Sequence, residues 1–151
     1  LEALARGDDI VRAIDAVAGK PGPAPLALER ARIAALFTAT SVEGVLERLA
    51  REDSAFARQA AMAIRANAPT SLKLAFDLLR RGVRLDVAQG LAQEYRAAAH
   101  LLARHDLKEG VRAALIDKDR APKWQPAALA AVTEADIAAL TADDPAIPAF
   151  E

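Results

Sequence analysis

Two cations and an indole, Lys118, Lys123 and Trp124, fall within one seven-residue window where a helical pattern gives way to a proline-bearing loop. A lysine ammonium holds a phosphate as a point charge, and an indole face stacks on a purine ring or a cation. The same residues also have a purely structural use. Lys118 complements the carbonyl end of a helix dipole, and Trp124 anchors the loop in the core.

The other reactive side chains form no recognised set. The histidines are His100 and His105, and neither has triad spacing; no GxSxG string exists. No HExxH, phosphate-cradling glycine loop or EF-hand loop is present. The carboxylate pairs Asp8-Asp9 and Asp143-Asp144 lie in polar ends and read as solvated charge. Asp106, followed three residues later by Glu109, has the pattern of a helix N-cap box. The imidazole of His105 beside it reads as a proton carrier or as a simple packing residue. The absence of cysteine removes disulfides, thiolate catalysis and thiolate metal sites. We therefore assign no catalytic residue and no metal ligand.

The elements that must position the cluster read as helices throughout. Apolar residues make up 53% of the chain but aromatic ones only 4%, so alanine and leucine supply most of the apolar fraction. Alanine favours helix and buries little area, which predicts closely packed helices around a thin core. Ile10, Ile14 and Val17 carry helical spacing, and the run from Gly19 to Pro25, with three prolines and two glycines, cannot continue a helix. Leu26 to Leu36 reads as a short helix. Thr40 and Glu43 suggest a cap for a helix with the stripe Val42, Val45, Leu46 and Leu49, and Asp53-Ser54 a cap for one carrying Phe56, Ala60, Ala63 and Ile64. Pro69 opens a helix carrying Leu72, Phe76 and Leu79 that stops at Gly82. The longest helix is predicted from about Leu85 to Ala103, with the stripe Ala88, Leu91, Tyr95, Ala98 and Leu102 facing the core. A helix over Val111 and Leu115 leads to the Lys118 loop, Pro126 opens another, and Thr133 caps the last. No strand pattern and no repeat is visible. The expected fold is all-α, divided into an N-terminal helical segment 1–18, a linker 19–25 and a helical domain 26–151.

Basic and acidic residues nearly cancel, 20 against 21, and no segment has the basic density of a nucleic-acid-binding module. No apolar run reaches the ~20 residues of a membrane span. Asp8 and Asp9 interrupt any leader-like stretch. A soluble cytoplasmic protein is expected, and the opening Leu1 suggests a larger parent.

One long string is more specific than any of these patterns. His105-Asp106-Leu107-Lys108-Glu109-Gly110-Val111-Arg112, continued by Ile116-Asp117-Lys118-Asp119 and by Pro122-Lys123-Trp124-Gln125-Pro126, closely resembles the C-terminal region of 3-hydroxyisobutyryl-CoA hydrolases, members of the crotonase (enoyl-CoA hydratase/isomerase) superfamily. Pro69-Thr70-Ser71-Leu72-Lys73 and Glu94-Tyr95-Arg96 are similar to two further strings of that family. The resemblance runs from about Phe37 to Asp136.

The resemblance implies a hydrolase of CoA thioesters, typically 3-hydroxyisobutyryl-CoA in valine breakdown. It implies that the oxyanion-binding amides and acting carboxylates lie on a β/α core absent from this chain, which alone should be inactive. It makes Lys118 the leading CoA contact, with Lys123 and Trp124 as weaker ones; the position near Ala98, aromatic in hydratase relatives, cannot stack here. The implied partners are the missing N-terminal core and an acyl-CoA substrate, with no cofactor besides the CoA of the substrate. Bare apolar faces imply self-association. The alternatives are part of an enoyl-CoA hydratase or isomerase, and a non-enzymatic helical interaction module.

Overall fold

A computed structural model of the chain describes residues 10–19 and 22–147. Asp8-Asp9 with the rest of residues 1–9, Lys20-Pro21 within the linker, and residues 148–151 lie outside the described residues. The chain divides into two units, Leu1–Ala35 and Leu36–Glu151. Among the described residues every regular element is helical.

In the first unit, α1 (Ile10–Asp15) and α2 (Pro25–Leu28) bury no residue. Pro25 opens α2, where its fixed φ suits the first turn. The single helix expected over Leu26 to Leu36 is broken at Glu29: a second helix, α3 (Arg30–Leu36), starts afresh. Glu29 instead pairs with Arg32.

The second unit is built on α4 (Val42–Arg51), α5 (Ala55–Arg65), α6 (Pro69–Gly82) and α7 (Val87–Leu102). The α4 stripe falls as its spacing predicts: Val42, Val45 and Leu49 are buried. Its cap is displaced by one residue. Ser41, not Thr40, accepts from Gly44 N at 3.1 Å, because Glu43 is drawn away to Lys73 and cannot complete a box. Ser54 caps α5 through Ala57 N, as expected. Leu36, Val45, Leu49, Ala57 and Ala61 form the first core cluster. The second joins Leu74, Ala97, Val132, Ile137 and Leu140, and so gathers α6, α7 and α9 (Glu134–Thr141). Thr133 and Asp136 close the capping box of α9.

The stripe expected to face the core from α7 does the opposite. Ala88, Leu91, Tyr95, Ala98 and Leu102 are all exposed, and the helix packs through Ala97 and Leu101. The small face wins because it lets α7 approach α6 and α9 closely, while Leu91 and Leu102 stay 47% and 64% exposed. Polar ties fix the register: Gln93 Nε2 donates to Leu78 O, and His100 Nε2 lies 3.2 Å from Ala142 O. The cap of α7, missed in the sequence, is a box of Asp86 and Gln89. The helix α8 (His105–Val111) runs directly into a π-helical turn, Arg112–Ile116. No helix starts at Pro126: residues 125–128 bend and a short 3₁₀ turn, Leu129–Ala131, comes next.

Candidate functional site

The loop that carries Lys118, Lys123 and Trp124 is folded back against α8 by carboxylates of that helix. The expected cap box of Asp106 and Glu109 does not form. The α8 N-cap is Arg104 without a side-chain bond, and both acids serve the loop instead. Asp106, 8% exposed, accepts from Gln125 N at 2.7 Å through Oδ1. Its Oδ2 is buried with no partner among the described residues. Glu109 accepts from Lys123 N at 2.8 Å. A loop returning past a helix presents backbone N–H groups with no intrahelical partner, and these take the carboxylates.

Arg112 is the centre of the arrangement, and the sequence reading assigned it no role. Its Nε and Nη2 donate to both oxygens of Glu109, at 2.9 and 2.7 Å. Its Nη1 donates to Asp117 at 2.6 Å and to Asp119 at 2.7 Å. Only a planar guanidinium has enough donors in a fixed fork for this. Arg112 and the Lys123 amide together hold the Glu109 carboxyl down at about 2. The Ala121 amide, then Arg112, hold Asp119 below the ordinary carboxylate range. The three acids raise the guanidinium further still. The signal available in the sequence was the spacing of Arg112 against Glu109, Asp117 and Asp119.

The backbone here leaves the ordinary helical path. The Asp117 amide reaches Arg112 O at 2.8 Å, the bond of a π turn. Lys118 and Arg120 then adopt φ of 56° and 53°. Such left-handed values are uncommon for side chains of this size. Arg120 N donates to Ala113 O at 3.1 Å, closing the loop onto the turn.

The three sequence-predicted residues are placed differently. Lys118 is exposed, and its ammonium makes no hydrogen bond or ion pair among the described residues. Lys123 is exposed too; its backbone, not its side chain, engages Glu109 and His105. Trp124 is half-buried, donates from Nε1 to Ala66 O at 3.1 Å and lies against Gly110. It walls a cavity of about 420 Å³ with Ala68, Leu107, Val111 and Leu115. The indole therefore does the anchoring, and no ring contact joins it to either lysine among the described residues; the cation–π pair seen there is Arg80 over Phe76.

A second cavity of about 440 Å³ lies between α4, α6 and α9. Lys73 spans it, 2.8 Å from Glu43 and 3.0 Å from Val132 O. The Lys73 ammonium holds the Glu43 carboxyl below its usual range.

The sequence pattern of the family described as Enoyl-CoA hydratase/isomerase matches residues 1–141. The chain belongs to this family. Within the enoyl-CoA hydratase/isomerase family it is 46% identical over 99 residues to the mitochondrial 3-hydroxyisobutyryl-CoA hydrolase of Danio rerio, covering 66% of this chain and 26% of that protein. The mitochondrial 3-hydroxyisobutyryl-CoA hydrolase of Homo sapiens is 42% identical over 106 residues, covering 70% and 28%. The crystal structure of a carnitinyl-CoA dehydratase from Mycobacterium thermoresistibile superposes with a TM-score of 0.85 at 34% identity, covering 95% of this chain and 43% of that one. An enoyl-CoA hydratase from Rhodobacter sphaeroides 2.4.1 gives 0.74 at 30%, covering 92% and 43%. The chain thus spans about a quarter of the length of the curated relatives it matches.

The family assignment made from the Lys118 string holds, and so does the all-helical fold class. The cytoplasmic location expected from composition does not: these hydrolase relatives are mitochondrial. Charge balance and the lack of a spanning helix suit any aqueous compartment, so they carried no information on which one.

Proposed function

We propose that this member of the enoyl-CoA hydratase/isomerase family is the C-terminal helical part of a 3-hydroxyisobutyryl-CoA hydrolase-like enzyme, and that its Lys118 loop meets the CoA moiety. The identity to the hydrolases, together with the Lys118 string, carries this reading. At the site, an exposed ammonium without a protein partner among the described residues, held on a braced loop, is suited to an anionic phosphate. Lys123 is the second cation of the same loop. Trp124 contributes by fixing the loop. The Thr133 hydroxyl that donates to Asp136 belongs to the α9 cap, and Lys73 is tied to Glu43 as an ion pair; we expect no thioester hydrolysis from the chain alone.

The exposed face of α7, with Leu91, Tyr95 and Leu102, supports burial against another surface. The remainder of a full-length enzyme and a second copy of this chain are the partners proposed for it. Sedimentation distinguishes them: a monomer at high concentration removes the second copy.

Calorimetric titration of the chain with CoA tests the site. We expect measurable binding that weakens about fivefold in Lys118→Ala, as for one exposed ion pair of about 1 kcal/mol. An unchanged affinity in the variant, or no binding at millimolar CoA, refutes the assignment and leaves the interaction-module reading. Hydrolysis of acyl-CoA by the chain alone refutes the division of labour.

A further inference from the structure

We infer that Arg112 is a positioning residue that aims Lys118, leaving its ammonium open to a phosphate monoester. The inference rests on the reading of Lys118 as a CoA contact and adds a cause for its availability. Asp117 and Asp119 flank Lys118 in the chain, and both would otherwise be its nearest counter-ions. Arg112 takes both through Nη1 and takes Glu109 through Nε and Nη2. The local acids are thereby occupied, and Lys118, between them, has no partner among the described residues.

The same contacts hold the backbone. Lys118 sits at φ 56° between two residues pinned to one guanidinium, and Arg120 at φ 53° is pinned by its amide to Ala113 O. A lysine does not hold a left-handed conformation unless its surroundings impose it. The π turn at Arg112–Ile116 supplies the frame, and such turns are frequent at functional sites. A lysine at position 112 keeps the charge but lacks the fork that reaches three acids at once.

The experiment compares the chain with Arg112→Lys, Lys118→Ala and the double variant. Affinity is measured for CoA and for dephospho-CoA, which lacks the 3′-phosphate, and amide exchange is followed over residues 117–121. For Arg112→Lys we expect exchange at Arg120 and Ala121 to quicken at least tenfold and CoA affinity to fall about fivefold. Dephospho-CoA affinity should stay within twofold, and the double variant should bind CoA no more weakly than Lys118→Ala. If Lys118→Ala weakens CoA binding but Arg112→Lys does not, or if the two losses add, Arg112 does not act through Lys118 and the inference is overturned while the reading of Lys118 stands. If Lys118→Ala leaves CoA binding unchanged, the reading of Lys118 itself fails and the inference with it. Should Arg112→Lys lose helical circular dichroism, Asp117→Asn combined with Asp119→Asn releases the backbone grip while also removing both acids, with the Glu109 pair intact; exchange at Arg120 and Ala121 should then quicken, and unchanged exchange overturns the inference.

Discussion

Two leucines of α6, five residues apart, should respond very unequally to the same truncation. Leu74 is 2% exposed and packs with Ala97, Val132, Ile137 and Leu140; Leu79 is 74% exposed. Leu→Ala at a buried site removes roughly three methylene equivalents, worth about 2.4 kcal/mol in transfer. A partly collapsed cavity adds about 1 kcal/mol, so Leu74→Ala should cost ~3.5 kcal/mol. The half-buried Leu78 and Leu101 border this cluster and set how far it collapses. At Leu79 the transfer loss scales to about 0.6 kcal/mol, and the better helix propensity of alanine offsets part of it. Urea unfolding followed at 222 nm measures both, and the thermal midpoint of Leu74→Ala should drop by about 12 °C. Equal costs, or a larger cost at Leu79, would refute the packing. A larger Leu79 cost that grows with protein concentration would show that face covered by a second copy.

Other perturbations have comparably definite outcomes. Lys73→Met removes the ion pair to Glu43 and the bond to Val132 O; the pair is partly exposed but Val132 is buried and its carbonyl loses its partner, so the loss should be about 2 kcal/mol by urea midpoint. Glu109 has a folded value below its unfolded one, so its stabilisation is complete above ~4.5. That stabilisation is lost as pH falls toward about 2. The urea midpoint should therefore decline over that window and decline less in Glu109→Gln; identical pH profiles would remove Glu109 from the loop's stability. A Cβ at Gly110 would lie 3.4 Å from the Trp124 ring, an ordinary contact, so Gly110→Ala should be tolerated. Gly110→Val adds branches toward the ring and should displace it, visible as a red shift in the emission of this single tryptophan; an unshifted spectrum would place the ring elsewhere.

Helix positions were largely legible because their signals are local. Ser54, Pro69, Gly82 and Thr133 mark ends through groups that each act within one turn. Which face of a helix meets which neighbour was less legible. On α7 the spacing found an apolar stripe correctly as a stripe, but a period carries no record of its partner, and the alanine face was the one used. Asp106 and Glu109 show the same limit: their spacing fits a cap, and a loop returning from far along the chain took both. At the site, the Lys118 string was recognisable and its conformation was not. Left-handed backbone at Lys118 and Arg120 leaves no mark in residue type when a guanidinium outside those positions imposes it.

The π turn also has a bearing on chain length. It accommodates one residue more than an α-helical turn would, with Asp117 N returning to Arg112 O. Deleting a single residue between Arg112 and Ile116 would restore regular winding and rotate the downstream chain by about 100° around the axis. Position 118 would then point in another direction. A gap of one in this stretch therefore counts as a change of phase, and homologues should be compared here by angle before they are compared by letter.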